Sequence, residues 1–249
     1  GSVSNMLKAM RKFSKTPYEM IRQKVAEGKV AGADETGINV NGKNNWLWAF
    51  QNAVATFLAF DSSRSHHVIN KHFTGEEQGN MVWVTDRLPA YFMGDVGMED
   101  HQICIAHLLR NLTYTMQAFP DDPWSLDMLD LLRDSVHHRN ENDIGEAVRK
   151  DMEERLDKLL ERPSVYTKED GENNELDKLK KGITKHRDYI FTFLTNPAVP
   201  PTNNDSEKAL RPAKTKLKVS GCFRSIQTAV KNGQNPFEVL RVIASLAKA

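Results

Sequence analysis

Cysteine is scarce in this chain of 249 residues, which contains only Cys104 and Cys222. Two thiols are too few for the disulfide framework of a small secreted domain, and they fit a reducing cytosol. No apolar run approaches the roughly 18 residues that a membrane-spanning helix needs, and no signal-peptide pattern opens the sequence. We therefore expect a cytoplasmic globular protein with no membrane partner.

Acidic residues are missing from one long stretch near the end of the chain. The thirty residues from Lys208 to Phe237 contain no aspartate or glutamate but seven lysines and arginines, an asymmetry that the net charge of +1 conceals. A run of one charge is often only a solvated surface. It is also what a track that binds nucleic-acid phosphates requires. Composition alone leaves both interpretations open.

The remaining composition is that of a globular protein, with 39% hydrophobic and 27% charged residues. The length allows one large domain, or one domain that carries an inserted one. An amphipathic helical pattern covers residues 3–28. Three strand-like runs follow, "KVAGADETG", "NNWLWAFQN" and "VATFLAFDSS", and the Asn41-Gly42 pair between the first two is a strong hairpin signal. The sequence thus predicts an antiparallel meander of three strands.

Helices and strands alternate after the meander. We expect a helix capped by Asp61 or Ser62, a fourth strand in "NMVWVTD", a short helical piece around "LPAYFM" and a fifth strand in "HQICIAH". From about residue 108 to 194 the apolar spacing is helical throughout, including "NELDKLKKGITKHRDYIFTFL". This order predicts an α/β fold with a mixed sheet, flanking helices and a large all-helical insertion between the fifth strand and a final capped helix.

Two acids follow apolar runs at predicted strand ends. Asp34 ends the first run and Asp86 ends "VWVTD". Strands position side chains rigidly in the crevices at such ends. Paired carboxylates that bind a divalent cation between them can form a catalytic site. A single aspartate at a strand end is more often a turn residue or a cap. Glu35 competes with Asp34 for a role, and Asp86 could simply pair with Arg87.

A third acid stands in "PPTNNDSEKALRP", residues 200–212. Asn204 and Glu207 have the spacing of a capping box, in which the glutamate binds a backbone N–H at the helix start. Glu207 could also have a structural role in an ion pair with Arg211, which lies one helical turn further along. From the residues alone, Glu207 is either a cap or a carboxylate placed for chemistry.

A zinc site in "HQICIAH" is a competing interpretation of a different kind. His101, Cys104 and His107 are spaced three apart, but a structural zinc ion needs four ligands and no convincing fourth is found. The alternation of Ile103 and Ile105 favours a buried strand instead.

Several long motifs together resemble the transposases of the insertion sequence 66 family. They cover most of the chain from Val30 onward, and they are "ADETGINVNGKNNWLWAF", "VWVTDRLPAYF", "HQICIAHLLRNL", "HRDYIFTFLTNPAVPPTNNDSEKALRPAKTKLKVSGCFRS" and "NGQNPFEVL". The resemblance implies an RNase H-like core with a helical insertion and a DDE active site. The first acid falls on Asp34 in "DETG", the second on Asp86 in "VTD", and the glutamate on Glu207 in "NNDSEKALRP".

The resemblance also implies cofactors and partners. Two Mg²⁺ or Mn²⁺ ions would be held by the three acids, and the partners would be transposon-end and target DNA, handled by a homodimer in the active complex. The bacterial protein would be cytoplasmic, and nucleoid-associated when bound to DNA. Asn204, Cys104 and His107 would be structural or would flank the site. The predicted DNA contacts are Arg211, Lys214, Lys216, Lys218 and Arg224.

The motifs suggest four segments: an N-terminal helical segment, the first part of the core, the helical insertion, and the second part of the core with the basic track. Their predicted ranges are 1–28, 29–107, 108–196 and 197–249. Relative to the family, we expect this chain to lack an N-terminal region that recognises the transposon ends. We also expect it to lack a short stretch between Gln227 and Thr228. Both departures leave the activity of this chain open.

Overall fold

The protein has a mixed α/β fold in a computed structural model. The described residues are 13, 15–40, 42–93, 97, 98, 100–163, 165 and 175–220, without the side chains of residues 216 and 220. Helix α1 spans Lys15–Ala26. It confirms the later part of the helical pattern predicted for residues 3–28, whose earlier part lies outside the described residues.

The predicted meander is confirmed. Strands β1 (Val30–Val40), β2 (Lys43–Gln51) and β3 (Thr56–Asp61) pair antiparallel in sequence order. Val40 pairs with Lys43, and Gly42 has a φ of +79°, the left-handed conformation that glycine adopts at low cost. The hairpin therefore lies where the Asn-Gly pair predicted it.

The predicted end of the first strand is wrong. β1 continues to Val40 instead of turning after its acids, so Asp34 lies in the middle of the strand, opposite Ala49. Gly37 does not form a turn, because it pairs with Trp46, whose ring lies 3.8 Å from the position of a β-carbon built on Gly37. An aromatic ring over a strand glycine supplies the packing that the glycine lacks.

The predicted cap of the following helix is also wrong. Asp61 is the last residue of β3, where its carboxylate accepts from the Ser63 N–H (3.0 Å) and binds Lys71 (2.8 Å). Helix α2 begins six residues later and spans His67–His72. A second short helix, α3 (Gly75–Gly79), was not predicted; Thr74 caps it through a capping box.

The sheet has five strands in the order β3-β2-β1-β4-β5. Strand β4 is Val82–Thr85, and the predicted short helical piece is a 3-10 turn at Pro89–Phe92. Strand β5 is Asp100–Ile103, shorter than predicted, because the chain enters a helix at Ile105. Cys104 and His107 therefore lie at the start of that helix, and the prediction of a strand through "ICIAH" is wrong.

Helices fill the chain between β5 and the final helix. They are α4 (Ile105–Ala118), α5 (Trp124–Asn140), α6 (Glu146–Glu161) and α7 (Glu175–Lys185). The predicted helix through "HRDYIFTFL" is wrong: α7 ends at Lys185, and two 3-10 turns follow at Arg187–Tyr189 and Thr192–Leu194. The last described helix, α8, spans Asn204–Ser220.

The chain divides into two compact units. The first takes its described residues from 1–83, 88–99 and 204–249, and the second from 84–87 and 100–203. The larger apolar core of the first unit lies on one face of the meander, where Phe50 makes edge-to-face contacts with Phe73 and Trp83. In the second unit, the buried Trp124 indole donates to the Leu159 carbonyl at 2.8 Å, tying α5 to α6. The four predicted segment ranges stay predictions.

Candidate active site

Asp34 and Glu35 are neighbours on β1 whose side chains lie on opposite faces of the sheet, because a strand alternates. Both are largely buried, with 8% and 7% of their surface exposed. The face of Glu35 carries the aromatic core of the first unit. The face of Asp34 carries a second apolar cluster, built with α8. The two acids therefore have different surroundings.

Glu35 has a structural role. One carboxylate oxygen accepts from Nε and Nη2 of Arg64 at 2.9 and 2.6 Å, and the other accepts from the Tyr91 hydroxyl at 2.8 Å. The Arg64 guanidinium lies 4.6 Å from the centre of the Trp46 ring. These contacts compensate the burial of the carboxylate charge. Glu35 is therefore bound on the core side of the sheet, and the catalytic role of Asp34 stays a prediction.

Helix α8 packs against β1 and β2 on the Asp34 face. Ala209, Leu210 and Ala213 of the helix share a buried cluster with Leu47 and Ala49. Ala49 is also the residue paired with Asp34. Small side chains at positions 209 and 213 allow the helix to approach the sheet closely. The sequence of α8 thus places its first turn on the same sheet face as Asp34.

Gln51 holds the first turn of α8. With its amide in the hydrogen-bonding orientation, the nitrogen donates to the Asp205 carbonyl (3.1 Å) and the oxygen accepts from the Ser206 N–H (3.3 Å). The N–H groups of a helix's first turn lack partners within the helix, so Gln51 acts as a cap from a neighbouring strand. Gln51 pairs with Gly32, which puts it diagonally across from Asp34 on one sheet face. Glu207 follows Ser206 directly.

A stripe of exposed cations runs along α8 from Glu207. Arg211, Lys214 and Lys218 follow Glu207 at intervals of four, three and four residues, which places all four on one side of a helix. The three basic side chains are exposed. Lys216 is nine residues from Glu207, about half a turn away from this side by helical spacing. Of the predicted DNA contacts, helix periodicity brings three together and separates Lys216; Arg224 lies outside the described residues.

The predicted cap at Asn204 is wrong. Asn204 is the first residue of α8 and is exposed, so the position before the helix falls on Asn203, which is buried. The Asn203 N–H donates to Sγ of Cys104 at 3.1 Å. Cys104 is fully buried and precedes α4, and its own N–H donates to the Thr85 carbonyl at 2.8 Å. Cys104 thus contacts both the end of β4 and the segment that enters α8.

Asp86 follows the last residue of β4, as predicted, and belongs to the second unit. Its neighbour Arg87 packs onto α7, where a β-carbon added to Gly182 would lie 2.5 Å from Nη1. Burial lowers the pKa of Arg87, and the charge of Asp86 opposes that shift. Burial, with the charges of Lys185 and Arg87, lowers the pKa of His186 to about 4. Arg87 is therefore a desolvated cation beside Asp86.

The model of the family described as "Transposase IS66 family" matches residues 1–231 of the chain. The chain belongs to this family. The expected resemblance is confirmed, and membership of a transposase family implies that the protein acts on DNA. Among curated proteins, none matches the chain.

The three predicted metal ligands are all acids. Within the described residues, no group of three or more His, Cys, Asp or Glu side chains is assembled to hold a metal ion. Asp34 and Glu207 belong to the first unit and Asp86 to the second. All three supply carboxylate oxygens, the donors that Mg²⁺ and Mn²⁺ prefer, so their chemistry fits a hard divalent cation.

Two contacts near the predicted acids could not be predicted from the sequence. Gln51 is one polar residue at a strand end, and nothing in its neighbours indicates that it binds a helix more than 150 residues away. Gly182 is a weak signal in the sequence, because a glycine inside a helix destabilises that helix by about 1 kcal/mol relative to alanine. Such a glycine suggests a close approach, but its partner, Arg87, is known only from the fold.

No helix of the described residues is long and apolar enough to cross a membrane.

Proposed function

We propose that this chain is the catalytic domain of a DDE transposase, which cleaves DNA and joins the freed end to target DNA during transposition of a bacterial insertion sequence. The proposal rests on the family match over residues 1–231. The observation that carries it further is the position of Glu207, which stands at the start of an exposed basic stripe on a helix packed over the Asp34 face. An acid followed by phosphate-binding cations is the arrangement that phosphoryl transfer on DNA needs.

The proposed fold of this domain is an RNase H-like core. Its support is the antiparallel meander β1-β2-β3 extended by β4 and β5 in the order β3-β2-β1-β4-β5. Helices α4 to α7, which separate β5 from the glutamate-bearing α8, would be the insertion into that core.

Asp34, Asp86 and Glu207 are the proposed catalytic acids, and together they would hold two Mg²⁺ or Mn²⁺ ions. Metal ions bound there would supply Lewis-acid activation of the attacking oxygen and stabilisation of the leaving oxygen. The protein itself would hold the acids in position. The central location of Asp34 in a paired strand restricts its movement, and the contacts of Gln51 with α8 restrict the turn that precedes Glu207.

The exposed stripe of Arg211, Lys214 and Lys218 would bind the DNA backbone next to the acids. Its charges lie on consecutive turns of α8, and they are exposed, as contacts with successive phosphates require. Such contacts position DNA without reading its sequence. We place Lys216 outside this contact because of its position on the helix, and the role of Arg224 stays a prediction. We also propose that a homodimer holds the two transposon ends.

A strand-transfer assay tests the proposed function. The chain is incubated with labelled DNA carrying a pre-cut 3′-hydroxyl end, target plasmid and Mn²⁺, and joined products are counted. Joined product that disappears in Asp34→Asn, Asp86→Asn and Glu207→Gln supports the proposal. Cleavage without joining would indicate a nuclease. DNA binding with neither reaction would indicate a catalytically inactive remnant, and either result contradicts the proposal.

A further inference from the structure

We propose that Cys104 is a positioning residue of the transposase, whose thiol fixes the chain at the entrance to the Glu207 helix. This inference rests on the proposed function, since it assigns Cys104 to the same acids. Its basis is one pair of contacts within the second unit. Sγ accepts from the Asn203 N–H (3.1 Å), and the Cys104 N–H donates to the Thr85 carbonyl (2.8 Å).

The two contacted residues have a special place in the chain. Thr85 is the residue before Asp86, and Asn203 is the residue before α8, four positions ahead of Glu207. Cys104 therefore joins the segment that carries the second acid to the segment that leads to the third. A shift at Cys104 would be transmitted along a short piece of backbone to both acids.

A second contact supports the same connection independently of the thiol. The N–H of Ile105, the first residue of α4, donates to the Pro201 carbonyl at 2.9 Å. The loop that enters α8 is thus bound twice at the start of α4, once by a backbone N–H and once by a sulfur. Prolines at 200 and 201 restrict the backbone freedom of that loop further.

The junction that holds Cys104 is bound by further hydrogen bonds. The Gln102 amide donates to the carbonyls of Ile103 and Ile190 (2.7 and 2.8 Å) and accepts from the Phe193 N–H (3.0 Å). Cys104 is completely buried. A thiol is a weak acceptor, and here it accepts a hydrogen bond from a buried backbone N–H. Its role is therefore hydrogen bonding and packing, and the inference requires no reactive thiolate.

Substitutions at position 104 separate the hydrogen bond from simple packing. Cys104→Ala removes the acceptor, whereas Cys104→Ser keeps one on a smaller side chain. We expect Cys104→Ala to lower the single-turnover rate of DNA cleavage by about 10-fold or more, because small displacements of catalytic groups are costly. DNA affinity should be unchanged, and the Mn²⁺ concentration for half-maximal thermal stabilisation should rise. Cys104→Ser should recover most of both losses.

Leu112→Ala is the matched control, since Leu112 is a fully buried residue of α4, the helix that Cys104 precedes. Measurements are made where each variant is folded. Equal rates and Mn²⁺ midpoints for Cys104→Ala and Leu112→Ala would overturn the inference, and so would a Cys104→Ser variant as impaired as Cys104→Ala. Should the alanine variant not fold, hydrogen exchange of the Asn203 amide in the unmodified protein decides. Strong protection is expected, and exchange at the rate of an unprotected amide would overturn the inference.

Failure of this inference can be told apart from failure of the proposed function. If Cys104→Ala cleaves at the rate of the unmodified chain while Asp34→Asn and Glu207→Gln do not cleave, only the role of Cys104 is wrong. If Asp34→Asn and Glu207→Gln both cleave normally, the proposed function itself is wrong.

Discussion

The carboxylates of Asp34 and Glu35 lie on opposite faces of β1, although the two residues are adjacent in the chain. Glu35 is bound by Arg64 and Tyr91 beside the aromatic core, and Asp34 lies on the face that α8 covers. Strand alternation therefore divides the motif "DETG" into a structural acid and a proposed catalytic acid. The division makes the two positions separable by experiment.

Asp34→Asn and Glu35→Gln are expected to have opposite effects. Glu35→Gln should lower the free energy of unfolding by about 1–3 kcal/mol, because it weakens charge-assisted hydrogen bonds in a buried place. Since 44% of the Arg64 side chain is exposed, water limits the loss. Glu35→Gln should retain DNA cleavage wherever it is folded. Asp34→Asn should abolish cleavage and remain folded. Urea unfolding and a cleavage assay on both variants check this; loss of cleavage in folded Glu35→Gln would contradict it.

The basic stripe on α8 makes a prediction about salt dependence. Arg211→Ala, Lys214→Ala and Lys218→Ala should each weaken DNA binding and reduce the slope of log affinity against log salt concentration by about 1. Lys216→Ala is the control on the same helix, and it should change the slope less. Titrations of labelled duplex DNA at several salt concentrations measure this. Equal slopes for all four variants would show that helical position does not select the DNA contacts.

Much of this fold follows from local signals. The Asn-Gly pair and the alternation of "NNWLWAFQN" predicted the meander, since turn chemistry and strand period agree there. The end of β1 and the start of α2 were mispredicted for a common reason. Gly37 stays in the strand because of Trp46, and Asp61 is occupied by Lys71 and Ser63 in place of a cap. Contacts with residues two to ten positions further along the chain overrode the preference of the single residue.

The proposed site was predictable only in part. The acids could be named from the motifs, but the pairing of Gln51 with α8 and of Cys104 with Asn203 joins residues about 100 or more positions apart. No local pattern encodes such contacts. The basic track was predicted as a run of charge, and only the continuation of α8 through Pro212 to Ser220 arranges Arg211, Lys214 and Lys218 in a stripe.

Gly182 and Arg87 should be energetically coupled. Replacing a glycine inside a helix by alanine normally stabilises by about 1 kcal/mol. In Gly182→Ala the new β-carbon would collide with the Arg87 guanidinium, so we expect the gain to be lost. In an Arg87→Ala background, Gly182→Ala should again stabilise the protein by about 1 kcal/mol. Urea unfolding of the four proteins gives the coupling energy; additive effects would contradict the proposed contact.

Because of His72, we expect the folded protein to lose stability in acid. Burial, with the charges of Lys71 and Arg22 and against that of Asp61, lowers the pKa of His72 from 6.5 to about 4. The unfolded chain therefore binds a proton more readily than the folded one between these values. The contribution of His72 to the free energy of unfolding is fully present above pH 6.5. It decreases by on the order of 2 kcal/mol as the pH falls toward 4.

The His72→Gln variant removes this titration. Its free energy of unfolding should depend less on pH between 6.5 and 4 than that of the unmodified chain, as measured by urea unfolding. His67→Gln, at an exposed histidine in the same helix, is the control. Identical pH dependence in the unmodified chain and His72→Gln would show that His72 is not buried as a neutral imidazole.

The most direct test of the central claim is the Mn²⁺-dependent cleavage of a labelled DNA end by the unmodified chain, Asp34→Asn, Asp86→Asn and Glu207→Gln, assayed side by side. We predict cleavage by the unmodified chain that requires Mn²⁺ or Mg²⁺ and falls at least about 1,000-fold in each folded variant, as expected when a ligand of the reacting centre is lost. Cleavage at an undiminished rate in any one of the three folded variants would contradict the claim that these three acids form the catalytic centre.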